Sequence, residues 1–420
     1  MATVSNVVEA LKFTYAVDRV QYYFNNESVV YNILSKEKIS QGGRTNQLRI
    51  PIMVQNPGAV TGISEGGSLP SALNPDTAEA YFDLQEYASV HNLSWKLLQD
   101  ARSDKFAFQS ALDMFKEGVM RRWFRMLNAD FIDDGRGRLA VLPAADNDTT
   151  ITVNALPLVE QGQVVDLMDT DDATKNTDSA TVTAVDPIAR TVTLSANSGS
   201  TGAGDYLVIQ DTTDSPNAYH TNGLLGIIDS ANPATVVGNY GAINRSTAGN
   251  EFWQAVELGN SGTNRNLTED LLLQAESAVR EKGNGKIKAW IFNEAIKRRY
   301  HELVRAEAFM MINGGALSGG LGAKSSEVAK DGKTVYTFGG VPFHVDPYFA
   351  ANTIVGLDTD TFMIGHGETA APAMVSEVFE GAAPLSDTTS AGYDVRMYFQ
   401  VEVICKNPSA NVKIADVAES

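Results

Sequence analysis

The sequence predicts an α+β protein built from several units, and three observations carry that prediction. Apolar residues recur at steps of three and four over 103–131, the signature of one long helix. Apolar and polar residues alternate over 45–54 and 77–95, and long strand patterns return over 374–406. The composition changes near 146: from Asp146 to Asp214 there are twelve acids against two bases, Lys175 and Arg190, among short β-branched runs and turn clusters. That stretch predicts a small all-β module set into a larger frame.

A chain of 420 residues suggests two or three compact units. It is 43% hydrophobic and 20% charged, enough for sizeable cores. The net charge of -18 repels phosphate at long range and argues against a sequence-reading DNA-binding protein. The single cysteine, Cys405, excludes an intramolecular disulfide and fits a reducing compartment. Within "YFQVEVICK" it reads as a small apolar strand residue. The start "MATVSNVVEALK" lacks the basic and apolar regions of a signal peptide. No apolar run reaches the roughly 18 residues that would span a bilayer, so no membrane role is expected.

Residues 1–40 form a moderately amphipathic arm, better suited to lying on a neighbour than to folding alone. "TNQLRIPIMV" (45–54) and "TAEAYFDLQEYASVHNLSW" (77–95) flank the Gly- and Pro-rich stretch "GAVTGISEGGSLPSALNPDT" (58–77). Together they predict an extended two-stranded arm, and so long a loop is functional or disordered. An isolated hairpin is marginal in water, so a partner surface is implied.

The long helix carries Phe108, Leu112, Phe115, Val119, Trp123 and Met126 on its apolar stripe, with Ser103 and Asp104 at its start. At about 1.5 Å per residue it runs roughly 40 Å, the length of a spine across a flat subunit. From 219 the pattern is mixed. "TEDLLLQAESAVREKGNG" is a helix capped by Thr268 and stopped by Gly283, with a stripe of Leu271, Leu272, Ala275 and Val279. "NEAIKRRYHELVRAEAFMM" is a second, capped by Asn293. Strands are expected at "KIKAWIF", "KTVYTF", "VPFHVD", "TIVGLD" and "TFMIG".

Catalytic chemistry is not visible. None of the five histidines pairs with another at metal-ligand spacing, and HExxH, GxSxG and Walker A patterns are missing. "GGALSGGLG" (314–322) lacks a dinucleotide fingerprint and reads as a loop. "DLMDTDDATKNTD" (166–178) is acidic but lacks the EF-hand glycine and terminal glutamate, so it reads as a solvated turn, with weak calcium binding as the sharper alternative. No cofactor is expected. Arg121, Arg122 and Arg125 on the spine helix, and Lys297, Arg298, Arg299 and Arg305 on the later one, read as a solvated, salt-bridged face. The alternatives are an inter-subunit contact or a weak inner surface for packaged DNA.

The order of these elements resembles the major capsid proteins of tailed bacteriophages, the Hong Kong 97-type fold. "SEGGSLP" followed by an aromatic strand and a helix, the spine helix, "NGLLGIID", and "WIFNEAIKRRYHELV" carry the resemblance in series. It implies an N-arm at 1–40 and an extended loop at 41–95. A peripheral domain with the spine helix would span 96–146, an all-β insertion domain 147–215 and an axial domain 216–372, with a return to the peripheral strands over 373–420. Glu65, Gly66, Gly67, Leu69 and Pro70 would mark the loop tip lying across a neighbouring subunit.

The implied function is a coat protein that self-assembles as hexamers and pentamers into an icosahedral shell around double-stranded DNA. Its partners would be itself, a separate scaffolding protein, a portal protein and a decoration protein. It would be assembled in the host bacterial cytoplasm and reside in the virion. Two departures matter. Between Lys38 and Lys96 there is no lysine, so no isopeptide cross-link from the loop is expected. Some 40 residues precede the loop, so no large N-terminal processing is expected. The competing classes are a tail or baseplate component, and a carbohydrate-binding or hydrolytic surface protein. The latter should show paired carboxylates with aromatic platforms.

Overall fold

Among the described residues, four sheets are organised around one long helix. The computed structural model describes residues 29–39, 47–55, 62–65, 67, 76–94, 105–154, 158–170, 174–199, 201–210, 220–230, 239–303, 326–328, 334–367, 369, 372–374, 385–386 and 392–419. In chain order, helix α1 (Val29–Ile33) precedes β1 (Ser35–Lys38), β2 (Gln47–Gln55), β3 (Asp76–Asp83) and β4 (Gln85–Ser94). The long helix α2 (Lys105–Ile132) follows. Then come β5 (Ala140–Val141), β6 (Thr150–Thr152), β7 (Val164–Met168), β8 (Lys175–Asp186), β9 (Thr191–Leu194), β10 (Tyr206–Ile209) and the short helix α3 (Leu224–Ile227). The remainder holds β11 (Val256–Leu258), α4 (Glu269–Gly283), β12 (Ala289–Phe292) and helix α5 (294–303). It continues with β13 (Ser326–Val328), β14 (Thr334–Phe338), β15 (Val341–Val345), β16 (Ile354–Leu357) and β17 (Phe362–His366). The last strands are β18 (Ala373–Met374), β19 (Leu385–Ser386), β20 (Gly392–Cys405) and β21 (Val412–Ile414).

Strand β20 is the axis of the first sheet. It pairs antiparallel with β4 over Gly392–Val401, with β17 over Val401–Cys405, and with β18 and β19 on shorter registers. Strand β1 joins parallel to β17. Strand β20 alternates over its middle, with Met397 and Phe399 buried, and is buried throughout Val401–Cys405, where Val401, Val403, Ile404 and Cys405 join the main core. The run expected as one strand over 77–95 is two. It divides at Leu84: β3 pairs with β2, whereas β4 leaves the arm for β20. The buried Leu84 sits at the bend.

Helix α2 buries Val119, Met120, Trp123, Phe124, Leu127 and Phe131 in this core. Two further positions, Met126 and Ala129, pack instead against the core of the next unit. The helix is therefore shared between two cores, which is why its apolar positions exceed a single narrow stripe.

Strands β5 to β10 form a six-stranded sheet in the order β5-β10-β7-β8-β9-β6. Its ends approach each other, because Asn154 N–H donates to the Val141 carbonyl at 2.8 Å. Ile151, Val165, Leu167, Val182, Val192 and Leu207 fill the inside. The acidic stretch thus encloses its own apolar core. The sheet begins with the two-residue strand β5.

The seven-stranded sheet β11-β21-β16-β12-β15-β14-β13 is mixed, with parallel pairs β11–β21 and β12–β15. Helix α4 covers it with Leu271, Leu272, Ala275 and Val279. The Thr268 hydroxyl accepts from Leu271 N–H at 3.2 Å, and Asn284 closes the helix in the left-handed conformation. Asn293 caps α5 in the same way, accepting from Ile296 N–H at 3.0 Å.

Candidate assembly surfaces

The arm lies partly on its own chain. Across β2 and β3, Leu48 faces Phe82, Ile50 faces Ala80 and Ile52 faces Ala78. That side packs on the main core, and the Phe82 ring stands 5.1 Å from the Tyr240 ring. The opposite side pairs Arg49 with Glu79 at 3.5 Å and leaves Tyr81 45% exposed. Of the expected tip residues, Glu65 and Gly67 are described and exposed, and Gly67 N–H donates to the Ser64 carbonyl in a turn. Gly66, Leu69 and Pro70 lie outside the described residues.

The spine-helix residues divide similarly. Val119 and Trp123 are buried and Met126 is half-buried. The backbone of Phe108, Leu112 and Phe115 is helical, but their side chains lie outside the described set. Polar contacts fix the helix to each unit. Trp123 Nε1 donates to Ser89 Oγ of β4 at 2.7 Å. Asn128 Nδ2 donates to Asp346 Oδ2, just beyond β15, at 3.0 Å. Arg122 and Arg125 each approach Glu160 of the acidic module at 3.8 Å.

The two arginines therefore meet an acid of their own chain across a half-exposed gap. On α5, Lys297 pairs with Glu294 at 3.2 Å and Arg299 with Glu302 at 2.9 Å, both one helical turn apart. Arg121 and Arg298 are exposed, and Arg305 lies outside the described residues.

A joint lies where α2 ends and the chain leaves the acidic module. After Ile132, Gly135 and Gly137 take positive φ, and a Cβ at Gly137 would sit 2.5 Å from His220 Nε2. Glycine is needed there for the conformation and for the close approach. His220 Nδ1 lies 3.0 Å from Asp130 Oδ2 of the helix, and the Tyr87 ring meets the His220 ring edge-on at 5.9 Å. Thr221 N–H donates to the Tyr87 hydroxyl at 2.9 Å, and the Thr221 hydroxyl accepts from Val403 N–H at 3.0 Å. Asn222 donates to Glu402 Oε1 through its backbone at 3.4 Å and its side chain at 3.3 Å. At Gly223 a Cβ would stand 2.3 Å from the Asp130 and Asp133 carbonyls, so only glycine lets the strap cross the helix end. Burial pushes the Glu402 carboxyl up to about 8, more than its hydrogen bonds from Thr221 and Asn222 lower it. The sequence offered no signal for this joint, since its partners are up to 182 positions apart.

A second buried centre lies within the main core. Arg245 is fully buried and donates to the Gly226 and Ile227 carbonyls at the end of α3, at 3.1 and 2.8 Å. Its guanidinium lies 4.9 Å above the Tyr240 ring. Trp253 Nε1 donates to the Tyr240 carbonyl, and Cys405 N–H donates to the Tyr240 hydroxyl at 2.7 Å. Cys405 is buried, and burial pushes its thiol up to about 12. It is a core residue in a strand, as its sequence context suggests.

Among the described residues no group of three or more His, Cys, Asp or Glu is arranged to hold a metal ion. In the 166–178 stretch, Asp166 is engaged by Lys175 at 3.1 Å and by Ser179 N–H at 2.8 Å. The 314–322 glycine run lies outside the described residues. No described helix is long and apolar enough to cross a membrane.

No protein-family model matches the sequence, and no curated protein matches it. Solved structures do. The capsid of cyanophage A-1(L) superposes with a TM-score of 0.52, covering 93% of both chains at 12% identity. The chain has a phage capsid protein fold. The capsid of a native GTA particle (TM-score 0.45, 11% identity, 93% and 90% covered) and Mycobacterium phage Bobi (0.44, 12%, 93% and 90%) are also similar. Of the three, the cyanophage capsid exceeds 0.5 and alone supports the assignment. At such identity the likeness carries the capsid fold and not the roles of particular residues.

Proposed function

We propose that the chain is the major coat subunit of a tailed double-stranded DNA bacteriophage. The carrying observation is the capsid-fold likeness over 93% of both chains. Within the Hong Kong 97-type reading, residues 1–40 are the N-arm, 41–95 the extended loop, 96–146 and 373–420 the peripheral domain, 216–372 the axial domain and 147–215 an inserted module. Hexamers and pentamers close the shell, and no bond is made or broken. The loop tip around Glu65 and Gly67 reaches a neighbouring subunit, and many modest contacts sum through multivalency. The half-covered β2–β3 sheet supports this, since its outer side presents Tyr81 and the Arg49–Glu79 pair.

Electron microscopy of the purified chain, alone and with candidate scaffolding genes, tests the proposal. Closed shells or hexameric rings are expected, while stacked tubes would indicate a tail component. A monomer under every condition would refute self-assembly. Denaturing gels of assembled particles should show single chains, because the loop has no lysine between Lys38 and Lys96. A ladder of covalent oligomers would overturn the non-covalent reading.

A further inference from the structure

The strap at 220–223 and strand β20 enclose two acceptor atoms that meet no donor among the described residues. Asn222 Oδ1 and Glu402 Oε2 are both buried there and have no hydrogen-bond partner among those residues. The two side chains are already in contact, since Asn222 Nδ2 reaches Glu402 Oε1 at 3.3 Å. Glu402 is 2% exposed and Asn222 7%. Buried oxygens with no donor are strongly disfavoured, and an ionised carboxylate more so than a neutral one. A proton on Glu402 repairs this, because a carboxylic acid brings its own donor.

We infer that Glu402 is a proton-held latch: its neutral carboxylic acid fastens the 220–223 strap to the main sheet, and its ionisation releases the root of the acidic module. The surroundings support this from every side. Around the carboxyl, Thr221 and Asn222 of the strap hydrogen-bond to it, and Asp83 at the end of β3, Tyr87 on β4 and Tyr240 act on it electrostatically. Asp83 is acidic and disfavours a second negative charge nearby. His220 can carry positive charge, but it is placed against Asp130. Thr221 binds β20 through Val403 N–H, so movement of Glu402 and of the strap is mechanically linked.

The sign follows from linkage. The folded carboxyl holds its proton up to about pH 8, whereas the unfolded one loses it in the ordinary carboxylate range. The folded state therefore binds more protons between those limits, and stability falls as pH rises through that window. The latch is fastened at neutral pH and opens in mild alkali. It is independent of shell assembly, since every measurement below uses the isolated full-length chain.

The first measurement is infrared spectroscopy of the wild-type chain between pH 6 and 10, set roughly around the folded value. A carbonyl band from a buried neutral acid should be present at neutral pH and vanish in alkali. Carboxylate absorption alone at every pH would overturn the inference. The second compares urea midpoints and amide exchange, corrected for intrinsic pH dependence, in wild type and Glu402→Gln. Wild type should lose midpoint in alkali, and protection at Thr221, Asn222 and Val403 should fall at least tenfold. Glu402→Gln, which supplies a fixed amide donor, should stay flat. Parallel curves for the two proteins would overturn the latch. If Glu402→Gln does not fold, the wild-type infrared titration still decides.

Discussion

Strands β2 and β3 form a two-stranded sheet with one side on the main core, whereas β5 to β10 curl until Asn154 bonds back to Val141. Both are small β units flanked by polar loops. The difference lies in where their apolar residues point. In the arm, Leu48, Ile50, Ala80 and Phe82 all share one side, so stability must come from another surface. In the module, Ile151, Val165, Val182 and Leu207 converge from different strands on one interior. A curled sheet with a filled interior protects its edges and needs no neighbour. An open two-stranded sheet leaves its other side available to one.

The sharpest way to break this comparison is Phe82→Ala. The ring is buried beside Tyr240, and its loss should destabilise the chain by roughly 3–5 kcal/mol, read from urea unfolding of the main core. A loss below about 1 kcal/mol would mean that the arm is not seated on its own chain. Leu167→Ala in the module should cost about 2–4 kcal/mol, but only in module unfolding. If the main-core transition shifts equally, the module is not self-sufficient. Thr268→Ala, remote from both, removes the cap of α4 and should cost about 1 kcal/mol by the same assay. The smallest effect belongs to Arg122→Ala with Arg125→Ala. These pairs are half-exposed, so together they should change stability by less than about 1 kcal/mol and show no effect at high salt. A larger, salt-resistant loss would make Glu160 an anchor of the module rather than a solvated partner.

Much of the frame was legible locally. The long helix, the caps at Thr268 and Asn293, and the strands at "KIKAWIF", "VPFHVD" and "TFMIG" depend on neighbours a few residues apart. The acidic module was legible as composition, though its first strand, Ala140–Val141, was not, because two residues carry no period. The second arm strand was read as one run because both halves alternate alike, and only pairing with β20 separates them at Leu84. Val119 and Trp123 share the main core with Met120, Phe124, Leu127 and Phe131, a face wider than the stripe, whereas Met126 packs on the other core.

The sequence by itself determined the long helix, the capped helix after Thr268 and several of the strands, that the net charge concentrates between 146 and 214, and that Cys405 is a core residue. Periodicity, capping and burial propensity act over a few residues, so they can be read in one dimension. Only the tertiary structure decided that β20 is the axis of a sheet joined by β1, β4 and β17. It likewise decided that Arg245 caps a buried helix end, and that Glu402, within the wholly buried end of β20, is sealed beneath the strap at Asn222. Those outcomes depend on which distant surfaces meet, and the energy of a buried charge or an unpaired oxygen exists only once they do.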